Sequence, residues 1–405
     1  MTTPLPHVLP LENTARDYAW GSTTTIPALL GDEPTGAPVA ELWVGAHPGA
    51  PSHWSGGEAR VGLDALVAAD PEGLLGRVVT HRFGPRLPFL LKLLAAEKAL
   101  SLQVHPDLGQ AREGFARDNA AGLPIGGATR NYQDDNHKPE LLCALTPFEA
   151  LCGFRDPAET AELIREFETP ELDPLLELLQ GATDLRAAMT YLLAVPAGEA
   201  PVLVAAAAAG ASRYLELWPN GRYSPEASCT IRLAAQSPGE IGPVVALLLN
   251  LIRLEPGEAV FLAAGQIHAY VEGFGVEILA NSDNVLRCGL TPKHVDAEEL
   301  LRIATFDPVP ATPWPSKDLY GDVVYPVPVD DFELGRFTIG AEAHDISSAG
   351  PQLLLGVEGT VVARGSDAEV TLTPGRSAFV PAGREVELTG SGVVFRATVG
   401  PGVVR

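Results

Sequence analysis

Short apolar or alternating runs broken by Gly, Pro, Asn and Asp fill residues 1–155. Patterning of this kind predicts strands joined by tight turns. Helical spacing interrupts it over Leu63 to Val79 and Leu108 to Ala120. From Asp156 to about Ser237 the period lengthens throughout. Pro157 to Phe167, Leu175 to Leu179, Asp184 to Leu193 and Val202 to Leu217 all read as helix, with Pro170, Gly181, Pro196 and Pro219 between them. After Glu240 the short strands return and continue to Arg405. The pattern predicts a discontinuous β domain over 1–155 and 240–320, a helical insertion over 156–239 and a second β domain over 321–405.

The β-patterned second half repeats itself. Leu254–His268 (LEPGEAVFLAAGQIH) aligns without gaps onto Leu372–Val386 (LTPGRSAFVPAGREV). Each copy reads strand, Pro-Gly turn, strand, Gly turn, strand. This register resembles the second half of a cupin jelly roll. The fold expected is therefore mainly β with a helical insertion: two cupin-like jelly-roll β domains plus a small α-helical domain. Where the first copy has His268 the second has Val386, so the C-terminal unit is expected to hold no metal.

Three separated stretches would supply four ligands to one cation. Gln103 and His105 lie in Leu102–Asp107 (LQVHPD), Glu140 closes Asn136–Glu140 (NHKPE), and His268 sits in Ala264–Tyr270 (AGQIHAY). Residues i and i+2 of a strand face the same side, so Gln103 and His105 can share one ion. One carboxylate, two imidazoles and an amide leave a divalent ion with net charge of about +1, which suits a Lewis acid. A lone strand histidine is more often packed than ligating, and the convergence of the set carries the inference. His105, His268 and Glu140 alone would also make a facial triad for non-haem iron. Gln103 as a fourth ligand argues against that. His137 is expected to point away from the face shared by Lys138 and Glu140.

The residues around these ligands resemble type I mannose-6-phosphate isomerase. The resemblance is carried by Leu87–Leu94 (LPFLLKLL), Glu97–Asp107 and Tyr132–Glu140 (YQDDNHKPE). Asn13–Gly21 (NTARDYAWG), Ala40–His47 (AELWVGAH) and Asp283–Lys293 (DNVLRCGLTPK) extend it, with little to match over 156–240. It implies one zinc ion per chain on Gln103, His105, Glu140 and His268, and a catalytic Arg287. It implies interconversion of mannose 6-phosphate and fructose 6-phosphate through a cis-enediolate.

That reaction needs a base with a pKa near neutrality. Glu277, in Gly275–Leu279 (GVEIL), and Lys138 are the candidates, with Glu277 preferred. The phosphate is expected to meet Lys293 and Arg287, with Lys98 and the Ser101 hydroxyl. Trp20, Tyr270 and Asn136 are expected in the pocket wall. The rival readings are an iron-dependent cupin oxygenase and a metal-bearing cupin that binds sugar without turnover.

Composition sharpens this. The 51 acidic and 28 basic residues give a net charge of −23, which argues against nucleic acid and anionic membranes as partners. A phosphate site must then be a local cationic island. Only five residues are lysine (Lys92, Lys98, Lys138, Lys293, Lys317), yet four lie in the stretches quoted above. An ammonium is a compact charge of tunable pKa, which a guanidinium is not. Cys143, Cys152, Cys229 and Cys288 lack CxxC spacing and are expected as buried thiols. No signal-like start or bilayer-length apolar run is seen. A cytoplasmic monomer acting on a small sugar phosphate is expected.

Overall fold

The strand His268–Ala280 organises the ligand-bearing half of the molecule. Its first residues pair antiparallel with Phe148–Phe154, with His268 opposite Cys152. Its last eight pair with Phe89–Ala96 on one side and, in part, with Glu140–Ala144 on the other. The exchange of partners falls at Gly273, where φ is +137° and an added Cβ would stand 2.5 Å from the Phe148 ring. Only glycine turns the backbone there without strain or clash.

The computed structural model describes residues 5–56, 59–181, 185–319 and 321–403. Two large sheets dominate. The ten-stranded sheet runs from Leu249–Leu254 through Phe148–Phe154, His268–Ala280, Phe89–Ala96 and Glu41–Gly45 to Thr14–Arg16, with side branches at the long strand. The nine-stranded sheet runs from Leu9–Leu11 to Lys317–Leu319, so the first strand of the chain pairs with Ser377–Val380 near its end. The strands flanking the repeat coincide. Leu254 and Leu372 end strands, and His268 and Val386 each open one of 13 residues.

The expected pair of jelly-roll barrels is not what these strands build. Neither hydrogen-bonded path returns to its own start among the described residues, so both sheets are open and the fold is mixed α/β rather than mainly β. The packing shows why. Leu102, Val104, Leu151, Phe154, Ala269 and Leu286 bury their outer side against helical residues such as Leu163, Met189 and Leu233. Helices thus cover a face that closure would have given to strands. On the other branch, Val44, Leu91, Leu141 and Ile278 pack against Leu334, Leu353, Phe379 and Phe395 of the nine-stranded sheet. The two sheets thereby share one apolar core.

Helices Pro157–Glu166, Asp173–Gly181, Leu185–Ala194, Ala200–Leu217 and Ser224–Gln236 occupy the helical segment. Asp184, where the pattern opens a helix, lies outside the described residues. Leu108–Ala120 has the expected bounds because Asp107 and Gln110 form a reciprocal capping box. The stretch Leu63–Val79 breaks into short helices at Asp70 and Gly76. All four cysteines are buried and unpaired. No described helix is long and apolar enough to cross a membrane.

Candidate active site

Strand register assembles the site in two rows. Trp43, Lys92, Glu277 and Leu142 are successive partners across four strands. Side chains two residues apart on a strand share a face, so Glu41 joins Trp43 there and Glu140 joins Leu142. In the second row Arg287 pairs with Gln103, and Gln103 with His268.

At the meeting of the rows, His105, Glu140 and His268 bring one ligand atom each within 4.8 Å of the others, all buried. The His105 Nδ1–H donates to the Asn284 carbonyl at 2.7 Å and the His268 Nδ1–H to the Gln266 carbonyl at 2.9 Å. Each bond fixes its ring with a bare lone pair on Nε2. Both lone pairs face the Glu140 carboxylate, His105 Nε2 at 3.4 Å and His268 Nε2 at 3.3 Å. No hydrogen lies between these acceptors. His105 Nε2 and Glu140 Oε2 are buried without any hydrogen-bond partner. Lone pairs converging in this way demand a cation, so the residues fit a metal ion. The Gln103 amide end lies 3.3 Å from His268 Nε2. A half-turn of that amide brings its oxygen to the same point.

Glu140 stays ionised. Burial opposes this, but the Lys138 ammonium, with Nζ 3.2 Å from Oε1, holds its carboxyl well below the ordinary range. Above the metal ligands opens a cleft of about 620 Å³. Lys98, Ser101, Arg287 and Lys293 line it together, with Trp20, Tyr270, Lys138, Gln103, Glu140 and Glu277. Arg287, and then burial, lower the Lys293 pKa, as expected of two cations facing one space. His105 and His268 are not among the lining residues.

The sequence comparisons agree with this geometry. Residues 8–157 match the family described as phosphomannose isomerase type I, catalytic domain. A mannose-6-phosphate isomerase of Salmonella typhimurium is 38% identical over 400 residues, covering 95% of this chain and 98% of its own. The chain belongs to the type I phosphomannose isomerase family. A mannose-6-phosphate isomerase of Rattus norvegicus, 33% identical, covers 95% of each chain. The Salmonella typhimurium enzyme solved with bound substrate and zinc superposes with a TM-score of 0.90 at 35% identity, covering 98% of this chain and 100% of that one. A zinc-bound mannose 6-phosphate isomerase gives 0.89 with the same coverage.

One residue of the motif sits differently from expectation. Asn136 does not line the cleft; its amide donates to the Asn281 carbonyl at 3.2 Å, while its own carbonyl accepts from Asn284 and Ser282. It pins the segment that carries Lys138. His137 does turn away, to Asp331 at 3.0 Å.

Lys92 and Glu41 were missed by sequence reasoning. Lys92 Nζ lies 3.1 Å from Glu277 Oε2 and 3.4 Å from Glu41 Oε1. Tyr270 donates to Glu277 Oε1 at 2.8 Å, and the Trp43 indole to Glu41 Oε2 at 2.7 Å. Burial disfavours the Lys92 ammonium, but Glu277 and Glu41 more than offset it and its pKa is raised. Burial raises the Glu277 carboxyl, only partly relieved by Lys92. A signal was available, since a lysine inside the apolar run FLLKLLAA requires a buried partner.

The metal-free protein should be acid-sensitive. Burial pushes His105 down from an ordinary 6.5 to about 4. Between those values the unfolded chain binds more protons than the folded one, so stability falls as pH falls through this window. The loss is on the order of 3 kcal/mol for this one group. The Glu140 carboxyl, held below its ordinary 4.5, adds to the loss at the acid end. The urea midpoint of chelated protein should therefore drop between pH 6.5 and 4. A level midpoint would show that His105 is not held uncharged.

Proposed function

We propose that the chain interconverts mannose 6-phosphate and fructose 6-phosphate, using one zinc ion held by His105, Glu140 and His268 with Gln103. The observation that carries this reading is the pair of bare imidazole nitrogens aimed at a buried, ionised carboxylate beside a cleft lined by Lys98, Arg287 and Lys293. When bound, zinc supplies Lewis-acid polarisation of substrate oxygen. The protein does the rest. Glu277 takes the C2 proton of the open-chain aldose and returns it at C1, with its carboxylate aimed by Tyr270 and Lys92. Burial brings its pKa up towards the operating pH, as a general base requires. Arg287 faces the negative charge that develops on the enediolate oxygens. Lys293, Lys98 and Ser101 hold the phosphate, each bond to a charged group contributing about 1.5–3 kcal/mol. Trp20 walls the cleft.

A monomer is proposed as the working unit. Residues 1–155 and 240–320 are proposed to carry the chemistry and 156–239 to form the helical insertion. Residues 321–405 are proposed as a metal-free support, since Val386 stands where His268 stands in the repeat. Dioxygen chemistry would have no use for the cations of the cleft, and passive sugar binding none for a buried carboxylate of raised pKa. Purified protein should contain one zinc per chain and isomerise mannose 6-phosphate. Chelation should abolish turnover and zinc should restore it. A second zinc equivalent lost on altering residues 372–386 would overturn the metal-free assignment, full turnover after chelation would overturn the need for zinc, and no isomerisation by the zinc-loaded protein would overturn the function.

A further inference from the structure

Two loops make the cationic end of the cleft, Lys98–Ser101 and Leu290–Lys293. Neither is helix or strand, and side chains on such loops are well aimed only when their backbone is tied down. Both loops are tied to one short stretch where the helical segment returns to the sheet. Gln236 ends the helix Ser224–Gln236 and lines the cleft itself. Its amide clamps one backbone unit from both sides. Oε1 accepts from the Ala99 N–H at 3.0 Å and Nε2 donates to the Ala99 carbonyl at 2.7 Å. These are the two bonds a neighbouring strand would have given Ala99, supplied here by a side chain.

Four residues on, Glu240 holds the second loop. Its Oε1 accepts from the Leu290 N–H at 2.8 Å and its Oε2 from the Gly242 N–H at 3.0 Å. Leu290 has φ of +54°, in the left-handed region that a leucine adopts only at a cost. The two backbones meet so closely that a Cβ on Gly242 would lie 2.5 Å from the Leu290 nitrogen. The strained turn that sends the chain on to Thr291, Pro292 and Lys293 is thus set by contact with residues 240–242.

We infer that Gln236 and Glu240 are positioning residues for the substrate phosphate, which makes the end of the helical segment a working part of the recognition site. Gln236 places Lys98 and Ser101, Glu240 places Lys293, and the three residues of chain between them set the spacing of the two loops. This rests on the reading that those groups take the phosphate.

The test uses inorganic phosphate as a competitive inhibitor of the zinc-loaded enzyme, with Gln236→Met, Glu240→Gln and Lys293→Ala compared. Gln236→Met keeps length but makes neither bond. It should raise the phosphate inhibition constant and KM together by about tenfold, the scale of one displaced charge-assisted hydrogen bond. Its kcat should stay within about twofold and zinc content at the parent level, because the reacting atoms are untouched. Glu240→Gln, which keeps shape but loses one acceptor, should move the same two constants and carries the test if Gln236→Met does not fold. A purely structural role would instead lower Tm with the inhibition constant unmoved. If Lys293→Ala raises that constant and the other two variants do not, the inference fails alone. If Lys293→Ala leaves it unmoved, the phosphate assignment fails and the inference with it.

Discussion

Glu140→Ala should leave the protein without zinc and without measurable isomerase activity. Glu140 is the only carboxylate in the metal cluster, and the two imidazoles that remain bring no negative charge to a dication. Loss even of a group that merely orients a ligand costs about 10–100-fold in metal affinity. Loss of the charged ligand itself should cost more. A second effect adds to it. Lys138 Nζ lies 3.2 Å from Glu140, and removing the carboxylate leaves that half-buried ammonium without its counter-charge. Glu140→Gln keeps the shape and separates charge from packing, and should also lose zinc. His268→Ala keeps the carboxylate and its contact with Lys138. It should bind zinc more weakly with little loss of Tm. Zinc per chain, measured by elemental analysis after gel filtration, decides the matter. Full occupancy in both Glu140→Ala and His268→Ala would remove the metal assignment.

Much of this site could be read before any coordinates, and the reason lies in how its parts are encoded. Gln103 and His105 are two residues apart on one strand, so their common face follows from the pleat. The scarcity of lysine in the chain made its clustering near the ligands visible. Sheet closure could not be read in the same way. The repeat at 254–268 and 372–386 predicts where strands start and stop, which the structure has, but says nothing of which outer strands find each other. That depends on what else covers the face, and here Leu163, Met189 and Leu233 cover it. Asn136 shows another limit. It lies in the motif that carries Lys138 and Glu140, yet motif membership does not separate a side chain that meets substrate from one that pins the loop. Glu277 is legible as a candidate base, but Lys92 and Glu41 read along the chain only as isolated charges in apolar strands. Only register makes neighbours of Lys92 and Glu277, and that pairing joins segments nearly two hundred residues apart.

Glu277→Gln should lower kcat by about 10²–10⁴, the range for loss of a general base, with zinc content and KM close to the parent values. The amide keeps the shape of the side chain and can still accept from the Tyr270 hydroxyl, but it cannot take a proton. It also leaves Lys92 with Glu41 alone, so Tm must be followed in the same samples. An interaction made only in the transition state appears in kcat and in kcat/KM equally, which is the signature sought. Lys138 is the rival base, since it too lines the cleft and stands beside the metal cluster. The two are separated by exchange of the C2 hydrogen of mannose 6-phosphate with solvent deuterium, which reports proton removal whether or not product is released. Glu277→Gln should suppress exchange as strongly as turnover. Lys138→Met should retain more exchange than turnover if its ammonium acts on the substrate oxygens after C–H cleavage. Exchange at the parent rate in Glu277→Gln, with none in Lys138→Met, would move the role of base from Glu277 to Lys138. The Lys92–Glu277 pair would then serve to hold the central strands in register beneath the substrate.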